Sequence, residues 1–193
     1  MKKNEYVLDL GPEDEFDGFA YLFFLSAAPT YSFADDLNHL YPISLAREEN
    51  ITVDGVEWPL YSYYDPVLLL HYYLVERPAQ ATGFRSWGIG HKLLIIKGTL
   101  AADKMDEIES DFTEIPVPPA DTDLLGIERY RLMKALHDDF IPVNRFNPDH
   151  IPDDKKSAAA TRQLSKAINM ILDELDHQSV RRHNPYSLQE NDS

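Results

Sequence analysis

The chain of 193 residues carries 18 Lys+Arg against 33 Asp+Glu, a formal charge of −15, with 44% apolar and 11% aromatic residues and no cysteine. Such a length suits one globular domain with an appendage, and the acidic balance opposes binding to a phosphate backbone, so duplex nucleic acid is not an expected partner. Without cysteine there is no disulfide framework, thiolate metal site or thiol nucleophile, in keeping with a reducing compartment.

Tyr6 to Leu10 reads as a short strand, after which Gly11-Pro12 opens an acidic turn that closes at Gly18. Phe19 to Leu25 is apolar on both faces, as a central strand covered on both sides would be, and Pro29 stops it. Ser32 and Asp35 resemble a capping pair ahead of Phe33, Leu37, Leu40 and Tyr41, which fall at helical spacing before Pro42. From Ile43 to Val53 Leu45, Ile51 and Val53 alternate with polar residues, a strand with one wet side; Arg47 and Glu49 interrupt its apolar face and place it near a sheet edge. Asp54-Gly55 between apolar runs signals a type I′ hairpin, with Val56 to Tyr64 as the return strand.

Leu68 to Val75 allows either strand or helix, with strand favoured in its second half by Tyr72, Tyr73 and Val75. A glycine-bearing loop then leads into a buried strand from His91 to Lys97, ended by Gly98. Asp103 to Phe112 predicts an acidic helix with Met105, Ile108 and Phe112 on one face. Thr122 is the expected cap of a helix to about Leu136, with Leu125, Leu132 and Leu136 inward. Beyond the irregular stretch from Pro142 to Pro152, a final helix over Ser157 to His177 presents Leu164, Ile168, Ile171 and Leu175 as a stripe that docks either on its own domain or on a partner.

This order of elements does not alternate strictly between strand and helix. It predicts an α+β fold, an antiparallel or mixed sheet of about five or six strands with helices packed on it and a C-terminal helical extension. The expected organisation is an acidic domain over residues 1–149, a connector and amphipathic helix over 150–178, and a disordered tail over 179–193. Of the net charge, −14 falls before residue 150, so the later segment is nearly neutral. Met1-Lys2-Lys3 runs into Glu13-Asp14-Glu15-Phe16-Asp17 rather than an apolar stretch, so no secretory signal is read. The apolar segments Phe19 to Pro29 and Val67 to Val75 are short for a membrane span, and a cytoplasmic location without a membrane partner is expected.

Motifs for chemistry are incomplete. Glu13-x-Glu15-x-Asp17-Gly18 imitates the start of a calcium loop, but the twelfth position is Phe24. Gly88-Ile89-Gly90 begins a dinucleotide fingerprint that has Leu93 in place of its third glycine. The seven histidines form no close metal pairing; Asp35 and His39 stand four apart on a helix, His137 adjoins Asp138 and Asp139 at a helix end, and His71 reads as a core histidine. No catalytic, metal or cofactor-binding residue is assigned, and no cofactor is expected. The strongest clue is aromatic: Trp58, Tyr61, Tyr63, Tyr64, Tyr72 and Tyr73 lie close together in a stretch without Lys or Arg. Such residues form either a cross-strand core or an outer contact surface, and Trp58, Tyr61, Tyr63, Tyr72 and Tyr73 are the candidates for interaction.

Phe16 to Leu25 with Tyr31, Asp36-Leu37-Asn38, Ser44-Leu45-Ala46-Arg47, Trp58 to Tyr63, Tyr72 to Val75, Gly83-Phe84 and Leu93 to Gly98 resemble, in order and spacing, the IPExxxDY family. This is a group of small Bacteroidetes proteins without an assigned activity. The resemblance covers about residues 6 to 117; where the naming motif would fall, this chain has Ser86-Trp87-Gly88 and His91-Lys92. It implies a single α+β domain in a bacterial cytoplasm and transfers no site residue. The function expected from these observations is non-catalytic binding of another protein or of a second copy. The alternatives are an acidic nucleic-acid mimic or toxin antagonist, and a hydrolase built from distant residues such as His39, His91 or His137.

Overall fold

A computed structural model of the chain describes residues 18–81, 92–113, 115, 117–141 and 166–178. The predicted strand at Tyr6 to Leu10, the calcium-like and glycine motifs, His91 and the tail lie outside these residues. The elements run β1 (Phe19–Phe24), α1 (Thr30–Leu40), β2 (Ala46–Arg47), β3 (Ile51–Val53), β4 (Val56–Trp58), β5 (Leu60–Asp65), β6 (Leu70–Glu76), β7 (Lys92–Lys97), α2 (Ala101–Thr113), α3 (Leu124–Asp139) and β8 (Phe140–Ile141). A last helix, α4, spans residues 166–178. The order β2-β5-β6-β7-β1-β8 makes one sheet in which every pairing is antiparallel; β3 and β4 pair separately. This is the expected α+β class.

Strand alternation divides the sheet into two buried faces. On one, Leu22, Phe24, Leu70, Tyr72, Leu74, Leu94 and Ile96 meet Phe33 and Leu37 of α1, Met105, Ile108 and Phe112 of α2 and Leu136 of α3. On the other, Phe23, Leu60, Val75, Leu93 and Ile95 meet Ile51, Val53 and Trp58 of the β3–β4 hairpin and Ala167, Ile171 and Leu175 of α4. Of the apolar stripe read on the last helix, Ile168, Ile171 and Leu175 are therefore buried in cis, and Leu164 lies outside the described residues. These are called the helical face and the hairpin face below.

Two predicted long strands are each broken in the structure. The segment from Ile43 to Val53 divides into β2, on the edge of the main sheet, and β3; the segment from Val56 to Tyr64 divides at Pro59 into β4 and β5. Proline has no N–H for a ladder, so the pairing stops there and the hairpin folds over as its own sheet. Arg47 pins the facing bend: its guanidinium donates to the carbonyls of Glu48 and Leu60 and to Asn50 Oδ1. Its edge position agrees with the sequence reading. At the hairpin tip Asp54 and Gly55 have φ of 52° and 75°, the positive pair that a type I′ turn requires.

Helix boundaries also differ from expectation. Helix α1 begins at Thr30, ahead of Ser32, and Pro29 at its N-cap makes no side-chain cap. Asp123 rather than Thr122 caps α3, its Oδ1 accepting from Gly126 N at 2.8 Å. Leu125, expected inward, is exposed, because α3 meets the core only through its second half, where Leu132, Met133 and Leu136 pack.

Among the described residues one cation lies inside. Lys92 points to the helical face between its cross-strand neighbours Phe24 and Glu76 and is 1% exposed. Its Nζ donates to the carbonyls of Ser26 at 3.0 Å and Ala28 at 2.6 Å and stands 5.6 Å from the Phe33 ring centroid. The ammonium thus fastens the β1–α1 connector to the sheet. Burial lowers its pKa, while Glu76 and Asp139 act in the opposite direction.

Candidate functional site

The sheet register arranges the hairpin face in cross-strand rows. The innermost, Leu60, Val75, Leu93 and Phe23, is sealed beneath α4 and the hairpin. Next come Ser62, Tyr73, Ile95 and Tyr21, of which only Ile95 is fully buried. The outermost row is Tyr64, His71, Lys97 and Phe19, and cover is thinnest there: Tyr64 is 43% and Phe19 39% exposed. The rings stay in contact, with Tyr64 and His71 centroids 4.4 Å apart, His71 and Tyr73 stacked at 5.9 Å, and Phe19 and Tyr21 stacked at 6.4 Å. Lys97 crosses to Asp176 of α4 at 2.5 Å, which sets the boundary of the helix cover.

Just past this row the β5–β6 turn exposes Val67 (85%), Leu68 and Leu69. Asp65 builds the turn, its Oδ1 accepting from the N–H groups of Val67 and Leu68 at 2.8 and 3.1 Å. Leu69 has φ 52°, a left-handed conformation that a leucine adopts at a cost. Beside it Gly98, with φ 140°, admits no side chain: a Cβ would lie 2.7 Å from the Leu69 carbonyl oxygen. That close fit brings Leu100, also exposed, to the same end of the sheet, and Gly98 N donates to Gly18 O next to Phe19. Six of the eleven exposed large apolar residues among those described, Phe19, Tyr64, Val67, Leu68, Leu69 and Leu100, therefore share one end of the molecule. An apolar end of this kind, continuous with half-covered aromatic rings, has the make-up of a contact surface.

The five aromatic residues singled out from sequence are distributed differently. Trp58 (0% exposed) and Tyr72 (1% exposed) belong to the cores of opposite faces and offer no contact area. Burial, reinforced by Asp65, Glu107 and Tyr63, pushes the Tyr72 phenol up to about 12. Tyr61 and Tyr63 are half-buried on the helical face, and Arg47 sits 5.6 Å from the Tyr61 ring centroid. Tyr73 alone of the five borders the open end. Of the two readings left open by the sequence, the cross-strand core describes Trp58 and Tyr72; the break at Pro59 makes Trp58 the hairpin's anchor, and helices pack on the face that carries Tyr61 and Tyr63. Tyr64, counted in the cluster but not among the candidates, is at the surface, as is the Val67–Leu69 turn; a run of apolar residues beside Asp65-Pro66 was the available signal.

A concavity of about 460 Å³ opens between α1 and α3, lined by Asp35, Asp36, His39, Glu128, Arg131 and Leu132. His39 Nδ1 lies 2.7 Å from the Asp35 carbonyl oxygen and 3.7 Å from Asp35 Oδ1, and these contacts raise its pKa. Partial burial and then Asp35 raise that of Asp36, with His39 acting in the opposite direction. Of the histidines considered for a distant-residue enzyme, His137 is elsewhere, its Nδ1 against the Phe112 carbonyl at the end of α3. Among the described residues no group of three or more His, Asp or Glu side chains is placed to hold a metal ion, and no helix is long and apolar enough to cross a membrane. Compared with family models, with curated proteins and with solved structures, the chain matches none.

Proposed function

We propose that this chain works by binding another protein through the open end of its sheet. The observation that carries the reading is the continuity of the exposed Val67–Leu69 turn, Leu100 and Phe19 with the Tyr64–His71–Lys97 row, where a covered sheet face gives way to an uncovered one. Tyrosine and histidine supply contact area at low rotamer cost, and the aliphatic turn supplies the anchors that such interfaces bury at their centre. A photo-crosslinking residue at Val67 tests this in native cells, with the same probe at Tyr31 as control, since Tyr31 is also well exposed (68%) and lies in the first turn of α1, past the far end of β1. Discrete crosslinked species from position 67 and none from position 31 are the expected outcome. Equal labelling from both, or none from either, sinks the proposal.

A further inference from the structure

We infer that the occupant of this end is a cationic segment of a partner protein, with lysines or arginines set around one or two aliphatic or aromatic anchors. The inference rests on the binding role proposed above and adds the chemistry of the partner; its ground is charge complementarity. Among the described residues none of the basic side chains at this end stands free: Lys97 pairs with Asp176 at 2.5 Å, Lys104 with Glu107 at 2.8 Å, and His71 stacks between Tyr64 and Tyr73. Two carboxylates are not matched by a cation among the described residues: Asp65 at the base of the exposed turn, and Asp103 in the first turn of the helix that follows Leu100. The apolar surface is thus bordered at two points by carboxylates that no described cation pairs, Asp65 being held only by the N–H groups of its own turn.

An uncharged partner covering these carboxylates would strip water from Asp103 and from the lone pairs of Asp65 that the turn leaves open, and would supply no counter-charge. A second copy would bring a further −15, and an anionic bilayer or a nucleic acid would bring charge of the same sign. A cationic, apolar protein segment satisfies both parts of the surface, and the net charge of the whole chain raises its rate of encounter.

The test titrates the full chain with three fluorescent peptides of equal length and identical leucine and tryptophan anchors, whose remaining positions are Lys, Gln or Glu. The Lys peptide is expected to bind about tenfold more tightly than the Gln peptide at low salt, with the gap closing at high salt. Val67→Asp is expected to abolish its binding and Asp103→Lys to narrow the gap, with the fold of both variants checked by circular dichroism. Equal affinity for Lys and Gln peptides, lost in Val67→Asp, overturns the cationic inference and leaves the binding role standing. Lys-peptide binding indifferent to Val67→Asp reports only diffuse attraction and overturns the inference. Absence of binding by all three overturns it as well, while crosslinking from position 67 judges the binding role separately.

Discussion

The two faces of the central sheet are built from the same strands and each carries a buried apolar cluster, yet they end differently. The helical face is covered by α1, α2 and α3 over its central strands, with Tyr61 and Tyr63 half-buried toward the β2 edge, and rings from three elements meet inside it: Phe24 lies 5.6 Å from Phe112, which in turn contacts Tyr41 at 6.4 Å and Phe140 at 5.8 Å. Among the described residues a two-stranded ribbon and one helix cover the hairpin face, and their cover stops at Lys97 and Asp176. Exposure at the open end is therefore decided by the reach of the second layer and not by the strand residues themselves.

Truncating a ring on each face is the strongest way to break this comparison. Phe112→Ala should lower unfolding stability by about 3–5 kcal/mol in denaturant titration, whereas Tyr64→Ala should cost less than about 1 kcal/mol. Equal losses would mean that the end of the hairpin face is packed as tightly as the interior.

The buried ammonium sharpens the contrast, because Lys92 belongs to the helical face alone. Its pKa in the folded chain lies below the ordinary lysine value, so between the two the unfolded chain holds more protons and stability from this group rises with pH. The slope from one proton is at most about 1.4 kcal/mol per pH unit. Urea unfolding from neutral pH to pH 10 should show the wild type gaining on Lys92→Met as pH climbs. Above that range Tyr41 and Tyr72 oppose the trend: both phenols are raised from 10.0, so the unfolded chain ionises first. A pH-independent difference between the two proteins would show that Lys92 is not desolvated.

The smallest effect should come from the open end itself. Asparagine tolerates the left-handed conformation that Leu69 holds, so Leu69→Asn should leave stability unchanged or raise it by up to about 1 kcal/mol in thermal unfolding. The same substitution should weaken crosslinking from position 67. Loss of stability instead would assign Leu69 to the core and remove it from the surface.

Features governed by neighbours in the chain were legible from the amino-acid order. The strand Phe19–Phe24, buried on both sides over Leu22 to Phe24, the positive-φ pair Asp54-Gly55, the run ending at Gly98 and the stripe Ile168, Ile171 and Leu175 each follow from a local period or from glycine's freedom. What depended on distant cover was not legible. Alternation says which residues of Val56 to Tyr64 share a face, but it does not say that Pro59 lifts Trp58 out of the main sheet. Helical spacing made Leu125 look inward, although the first turn of α3 lies beyond any partner. The α1–α3 cleft joins residues 35–39 to residues 128–132, a pairing that no spacing in the chain announces.

The helix that completes the hairpin face follows in the chain every strand it shelters. On the ribosome, β1 to β7 and α1 to α3 can assemble while residues 166–178 are still to be made, so each nascent copy passes through a stage with Leu93, Ile95 and Val75 facing water. A stalled or clipped product would keep that greasy flank bare, and the hazard of clumping during synthesis falls on this side of the molecule alone.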